Sequence, residues 1–354
     1  MKKVWKLLLI LLAALLLILA AYVIYVLEDY HRIGDMPLAV EGEGESAAAE
    51  TDYTLISYNM GFAAYTPDFG FFMDGGTESR AASEESVQQV TGEIGDFLRG
   101  QDADFLMVEE VDIGSTRSHQ VDESALLKAA LDGGYAFSFA QNYDSPYLFY
   151  PILEPHGKSR SGMLTASRFA LTESLRRELP VEESLYKLLD LDRCYAVSRV
   201  PVTNGRELVL YTVHLSAYTS DGTVATEQLK LLLSDMQAER EKGNYIVCGG
   251  DFNKDVLGDS SAVFGVSSDQ QTWAQPFPEE LLAGTDLSLV RYDNAADVPS
   301  CRNADAPYHE GQLVLTVDGF LVSDNVTVTA AEVLDTGFAW SDHNPVRIRF
   351  TLAG

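Results

Sequence analysis

Asp251 and Asn253, in the run Gly249-Gly250-Asp251-Phe252-Asn253, follow the apolar segment Tyr245–Cys248. In an extended chain, side chains two positions apart project to the same side. A carboxylate and a carboxamide could then address one atom, Asp251 accepting the proton of a water molecule and Asn253 orienting it. The two glycines leave room for a ligand or a neighbouring backbone. The same five residues also suit an ordinary β-turn. Near the end of the chain, Ser341-Asp342-His343-Asn344-Pro345 offers Asp342 as a hard oxygen ligand for Mg²⁺ and His343 as a donor to an anionic oxygen. An Asx-turn before the proline is the structural alternative. Asp318 interrupts the apolar run Leu315-Thr316-Val317-Asp318-Gly319-Phe320-Leu321-Val322. A buried acid is costly unless paired, and a histidine is its natural partner. Such a carboxylate fixes the imidazole tautomer and raises its pKa, leaving the second ring nitrogen for substrate.

Three further positions share one pattern, a polar residue where an apolar run ends. Asn59 follows Ile56-Ser57-Tyr58, Glu109 and Glu110 follow Phe105–Val108, and His214 follows Leu208–Val213. Glu110 is a candidate metal ligand that Asn59 could steady, and strand alternation would turn Glu109 to the opposite face. His214 reads equally well as a satisfied core histidine. Side chains delivered at strand ends collect where α/β proteins bind ligands, because the sheet fixes positions while the loops beyond leave room.

The elements that must position these groups are mostly strands. Segments rich in Val, Ile, Tyr and Phe occur at Tyr53–Tyr58, Phe105–Val108, Tyr135–Ala140, Met163–Ser167, Leu208–Val213, Tyr245–Cys248, Leu313–Val317 and Val346–Phe350. Amphipathic helices are predicted at Glu84–Arg99, with Ser83 as N-cap, and at Val224–Lys242, with Leu229, Leu232, Leu233 and Met236 on its apolar face. So many strands with two main helices predict an α/β fold of two β-sheets packed together with helices outside.

Leu7–Leu27 is a run of 21 uncharged residues, preceded by Lys2, Lys3 and Lys6 and followed by Glu28 and Asp29. As a helix it spans about 31 Å, close to the ~30 Å hydrocarbon core of a bilayer. This predicts an uncleaved membrane anchor in place of a cleaved signal peptide, whose apolar region is ~7–15 residues. The lysines predict a cytoplasmic end at 1–6 and an extracytoplasmic body. Residues 28–51, small and acidic, read as a flexible stalk, and 52–354 as one catalytic domain. The whole chain carries −28, and residues 28–354 set 22 basic against 53 acidic side chains, a net of −31. That charge disfavours nucleic acid as a partner held by nonspecific attraction. Cys194, Cys248 and Cys301 share no metal-site spacing and imply no disulfide framework. Nothing in the sequence calls for an oligomer.

Taken in order, Ser57-Tyr58-Asn59-Met60, Glu109-Glu110-Val111, Thr212-Val213-His214-Leu215, Gly249–Asn253, Val317–Ser323 and Ser341–Pro345 resemble the motifs of the endonuclease/exonuclease/phosphatase superfamily across residues 52–354. The resemblance implies a four-layer α/β sandwich and Mg²⁺-dependent hydrolysis of phosphoesters, with Mn²⁺ as an alternative cation. It implies that Asn59, Glu110 and Asp342 hold the metal and that Asp251 and Asn253 activate water. It also implies that His214 and His343 contact phosphate, with Asp318 supporting His343. Two departures stand out. Glu109 occupies the place where that superfamily usually has Gln, and Asp318 is followed by Gly319 instead of Tyr or His.

Substrate recognition is predicted in loops beside the motifs, through Arg117, His156, Lys158, Arg160 and Arg193, cations suited to gripping a small anionic ligand. The aromatic segments 65–73 and 143–151 could line a pocket, touch a membrane surface through Phe71, Phe72 and Tyr147, or pack in the core. The expected substrate is a small or lipid-derived phosphoester. The alternatives are an extracellular endonuclease acting on DNA and a non-enzymatic ligand-binding module on the same fold.

Overall fold

The computed structural model describes residues 2–131, 133–181, 192–217, 223–266 and 274–354. The site lies at one end of two seven-stranded sheets packed face to face. Their strands, in chain order, are β1 Met36–Pro37, β2 Val40–Glu41, β3 Asp52–Asn59, β4 Phe105–Asp112, β5 Ala136–Asp144, β6 Arg160–Ser167 and β7 Glu173–Glu178. They continue as β8 Cys194–Pro201, β9 Glu207–His214, β10 Tyr245–Asp251, β11 Leu287–Leu289, β12 Asp318–Ser323, β13 Val326–Val333 and β14 Val346–Leu352. One sheet runs β1-β7-β8-β9-β10-β12-β11, the other β13-β14-β3-β4-β6-β5-β2.

The longer helices among the described residues are α1 Lys2–Asp29, which precedes the strands, α2 Glu84–Gly100, α3 Glu123–Ala130 and α4 Thr223–Glu241. Ser83 caps α2, its hydroxyl accepting from the Ser86 N–H at 3.1 Å. Val87, Val90, Ile94 and Leu98 recur at the spacing of one helix face and pack with Ile56 and Leu106 on the outside of one sheet. Leu229, Leu232, Leu233 and Met236 of α4 bury against the other sheet, in the same core that fills the space between the sheets. The layers are therefore helix, sheet, sheet, helix, the predicted four-layer sandwich.

The middle of each sheet is a parallel pair, β3 with β4 and β9 with β10. Their C-terminal ends consequently point to one edge of the sandwich. The flanking antiparallel strands start at that edge: Asp318, first in β12, is paired with Asp251, and β14 begins opposite Ser57, just after Asp342 and His343. Topology alone thus gathers six of the sequence motifs.

The strands β7, β8 and β13 and helix α3 escape the sequence reading, because their burial is one-sided or their apolar runs are broken by charges such as Arg176, Arg199 and Glu332. The run Leu313–Val317 holds only the two-residue strand Val314–Leu315, and the long strand starts at Asp318. Asp318 therefore heads a strand and does not interrupt one. The expected flexible stalk is also corrected. Residues 36–37 and 40–41 pair with β7 and β5, one strand pair on each sheet, and single bridges join Glu45 to Phe169 and Ala47 to Val202. Its acidic composition hid backbone pairing that needs no apolar side chains. Helix α1 is long and apolar enough to cross a membrane. All three cysteines are buried and free.

Candidate active site

Asp251 ends β10 and is the hub of the site. Its Oδ2 accepts from the Asn59 side-chain amide at 3.1 Å and lies 3.7 Å from His214 Nε2 and 3.8 Å from His343 Nε2. Its Oδ1 accepts from the Asn253 N–H at 2.8 Å. Extended alternation is not what brings Asn253 here. The chain leaves the strand after Asp251, Asn253 adopts φ of 48°, and its amide donates to the Leu215 carbonyl at 2.8 Å. The turn and the site are thus the same object. Gly250 is required by the neighbouring strand: its φ is 144°, and a Cβ there would sit 1.9 Å from the Val213 carbonyl oxygen.

Glu110 owes its aim to a β-bulge. The register of β4 against β6 shifts between Val108 and Val111, and Glu110 takes φ of 54°. Its carboxylate comes within 3.4 Å of the Asn59 amide nitrogen. Glu109 is fully buried beneath the site, accepting from the Ser57 hydroxyl at 3.0 Å. Burial, with Asp318 and Asp251 adding to it, pushes its carboxyl well above the usual range and favours the neutral form. It can therefore stand where relatives of the resembled family carry an uncharged Gln.

His343 and His214 are driven in opposite directions. Burial would lower the pKa of His343, but Asp318 Oδ2, 2.8 Å from Nδ1, outweighs it and holds the imidazole well above its usual value. Ser300 fixes that same oxygen, its hydroxyl donating to Asp318 Oδ2 at 2.6 Å. His214, buried beside Arg193, His343 and Arg117, is pushed well below the usual value. The two shifts favour the imidazolium form at His343 and the neutral imidazole at His214. Burial and Asp318 raise Asp251 itself to about 7.

Glu110, Asp251 and Asp342 line one cleft with Asn253, His214 and His343, and Asn59 is tied to it through its side-chain amide contacts with Asp251 and Glu110. This oxygen-rich donor set fits a hard divalent cation such as Mg²⁺, and Asp318 Oδ1, buried without a hydrogen-bond partner among the described residues, adds to the negative charge that such a cation would offset.

Of the predicted recognition residues, Arg117, His156 and Arg193 line the cleft. Arg117 is gripped by Asp112 through two hydrogen bonds of 3.0 and 2.9 Å, lies 3.9 Å from the Phe62 ring centroid and reaches to 4.0 Å from Glu110. His156 Nδ1 meets the Ser79 carbonyl at 2.7 Å, and burial lowers its pKa to about 4. Lys158 and Arg160 are not on the cleft wall. Lys158 pairs with Asp29 at 3.2 Å and Asp144 at 3.7 Å, and the Arg160 side chain is exposed. Phe71 is buried in an aromatic cluster with Phe62, Tyr65 and Phe69 and lines the cleft, so it does not face a membrane.

Sequence reasoning missed Asn142, Cys301 and Arg302. Asn142 sits near the end of β5 and is open to the same strand-end argument as Asn59; its buried side-chain nitrogen has no hydrogen-bond partner among the described residues. Arg302 is buried, its Nη2 donating to the carbonyls of Tyr65 and Thr66, and Cys301 Sγ lies 3.6 Å from His343 Nε2. They follow no apolar run that would single them out.

Comparison with known proteins agrees with this geometry. No curated protein sequence matches the chain. Among solved structures, an endonuclease/exonuclease/phosphatase from Beutenbergia cavernae superposes with a TM-score of 0.60 at 19% identity, covering 86% of this chain and 72% of that one. ANGEL2, a 2',3'-cyclic phosphatase in complex with adenosine-2',3'-vanadate, gives 0.56 at 18% identity, covering 90% and 99%. TDP2 from D. rerio, complexed with single-strand DNA product, gives 0.51 at 16% identity, covering 85% and 100%. At these identities they attest the fold. The model of the Endonuclease/Exonuclease/phosphatase family matches residues 56–343, from β3 to the last site histidine, and this chain belongs to that family.

Proposed function

We propose that the chain is a divalent-cation-dependent phosphoester hydrolase, with Mg²⁺ as cation and Mn²⁺ as substitute, in which Asp251 activates the attacking water. The observation that carries this reading is the convergence of Asp251, Asn59, His214 and His343 within hydrogen-bonding or near-contact distance at one sheet edge. Asn59, Glu110 and Asp342 would hold the cation, which supplies charge neutralisation at the phosphoryl and leaving oxygens.

The protein groups do the rest. Asp251 takes the proton from water, held in aim by the Asn253 N–H and the Asn59 amide. His343, kept protonated by Asp318, donates to a phosphoryl oxygen as its charge grows, and neutral His214 offers a second contact. Arg117, His156 and Arg193 would meet the remainder of the substrate from the cleft wall. The residues assign no phosphorylated enzyme intermediate.

The substrate in this reading is a small or lipid-derived phosphoester, and the protein is anchored by α1 with its N-terminus cytoplasmic and residues 52–354 outside. Likeness to TDP2 favours nucleic acid as the second reading, against which stand the net −31 of residues 28–354 and the need for a basic groove. The test is a panel of p-nitrophenyl phosphates, lipid phosphoesters and plasmid DNA, each with Mg²⁺ or EDTA. Mg²⁺-dependent turnover of a mono- or diester that EDTA abolishes is expected. DNA nicking alone would promote the nuclease, and no turnover of any substrate would leave a binding module.

A further inference from the structure

Among the described residues outside α1, exposed large apolar side chains cluster in a hairpin beside the cleft. Leu148 and Gly157 exchange backbone hydrogen bonds of 3.1 and 3.0 Å, and the His156 N–H donates to the Tyr150 carbonyl. Between these roots, Phe149, Tyr150, Ile152 and Leu153 are 56, 67, 83 and 100% exposed. A soluble surface rarely leaves four large apolar side chains together in water. No charged residue occurs from Ser145 to Leu153.

The hairpin is fastened to the predicted anchor. The Tyr22 hydroxyl donates to the Tyr147 carbonyl at 3.0 Å, the Tyr147 N–H donates to the Tyr25 hydroxyl at 3.0 Å, and the rings of Tyr22 and Phe149 meet edge-on at 4.9 Å. Lys158, one residue beyond the hairpin root, pairs with Asp29 at the end of α1. The apolar run of α1 ends at Leu27. At 1.5 Å per residue, Tyr25 lies about 3 Å and Tyr22 about 7.5 Å below that end. Segments that lie in a bilayer interface bury about 5–10 Å of their apolar face. Tyrosines at this depth belong to the aromatic belt of a spanning helix, and the hairpin shares their depth.

We infer that the 147–153 hairpin is a second membrane contact, inserted among the headgroups of the bilayer that α1 spans. Its chemistry selects the occupant. The tip offers apolar and aromatic groups without cations, on a body of net −31, so it suits a zwitterionic interface and gains nothing from anionic lipid. The contact also sets the cleft against the membrane. Tyr150 packs on Phe72 at 5.7 Å, Phe72 on His156 at 5.7 Å, and His156 forms the cleft wall. Resting on the hydrolase reading, this favours a phosphoester carried by a lipid headgroup over one free in solution.

The test uses the full chain reconstituted in phosphatidylcholine vesicles. Because the native cysteines are buried, L153C can be labelled selectively with an environment-sensitive nitrobenzoxadiazole probe, and E241C, exposed on α4, serves as the reference. Emission from position 153 should shift to the blue and be quenched at least twofold more than position 241 by lipids spin-labelled near the headgroup. Exchanging a third of the lipid for phosphatidylserine should not strengthen the quenching. A water-like probe at position 153 in protein that floats with the vesicles overturns the inference, and so does a chain that fails to float with them. The readout involves no turnover, so it stands or falls separately from the hydrolase assignment, which the substrate panel tests.

Discussion

The floor and the rim of the cleft are built on opposite principles. On the floor, Asp251, Asn59, His214 and Asp318 are buried at strand ends and His343 is buried just before β14, with Asp251 bonded to Asn59 and His343 to Asp318. On the rim, Arg117 and His156 come from loops, and the 147–153 hairpin turns its apolar side chains outward. The floor places polar groups where burial is costly, and each one is tuned by a neighbour. The rim places apolar groups where water is costly. A rigid sheet edge can hold such a charged cluster to a few tenths of an ångström, whereas loops vary in what they present to the outside. In the proposed reading, reaction chemistry resides at the sheet edge and the encounter with substrate or membrane in the loops.

The strongest way to break this contrast is Asp251→Asn. Loss of the base should lower kcat by about 10³-fold or more at pH 7, while the fold tolerates the change. The sign of the stability effect follows from the raised pKa. Without divalent cation, the Asp251 carboxyl ionises near 3.8 in the unfolded chain and at about 7 in the folded one. Its contribution is thus full below pH 4 and is lost as pH rises from about 4 to about 7. Thermal melts in EDTA should show a Tm that declines over that window in the parent and declines less in Asp251→Asn. An equal decline in both would detach Asp251 from the buried acid cluster.

Asp318→Asn is the intermediate case, because it alters the floor through a residue that works by way of His343. The amide still fills the space but no longer holds the imidazolium, and burial then lowers the His343 pKa. Activity should fall about 10²-fold at neutral pH, and the alkaline limb of the pH–rate profile should move to lower pH. A uniform fall with an unmoved limb would make Asp318 a packing residue only.

Glu109→Gln should have the smallest effect. The carboxyl is buried, bonded to Ser57 and favoured as its neutral form, so an amide of the same shape should keep kcat within about twofold, with Tm equal or slightly higher. Steady-state rates and melts with Mg²⁺ check this. A tenfold loss would mean that Glu109 acts as an anion and that the floor carries one more charge than its geometry suggests.

Much of the floor was legible in the sequence. A polar residue ending an apolar run marks the end of a buried strand, and that pattern singled out Asn59, Glu110, His214 and Asp251 before any coordinates. Asn142 obeys the same rule and was passed over. The rim was less legible. Lys158 and Arg160 stand among cationic neighbours in the sequence, yet Lys158 turns to Asp29 and Arg160 to solvent. A loop's side-chain directions depend on φ and ψ values that composition does not fix.

The residue types, their order and the apolar periods determined by themselves which groups could do the chemistry, that two sheets with outer helices would carry them, and that the first helix is long and apolar enough for a bilayer. Tertiary structure alone decided that a bulge aims Glu110 into the cleft, that Asn253 arrives by a turn, that residues 36–41 are pinned to both sheets, and that the apolar hairpin stands beside Tyr22 and Tyr25. The physical reason is one of range: a residue's chemistry and its burial preference are local properties, whereas register, bulges and the meeting of distant segments are settled by the packing of the whole chain.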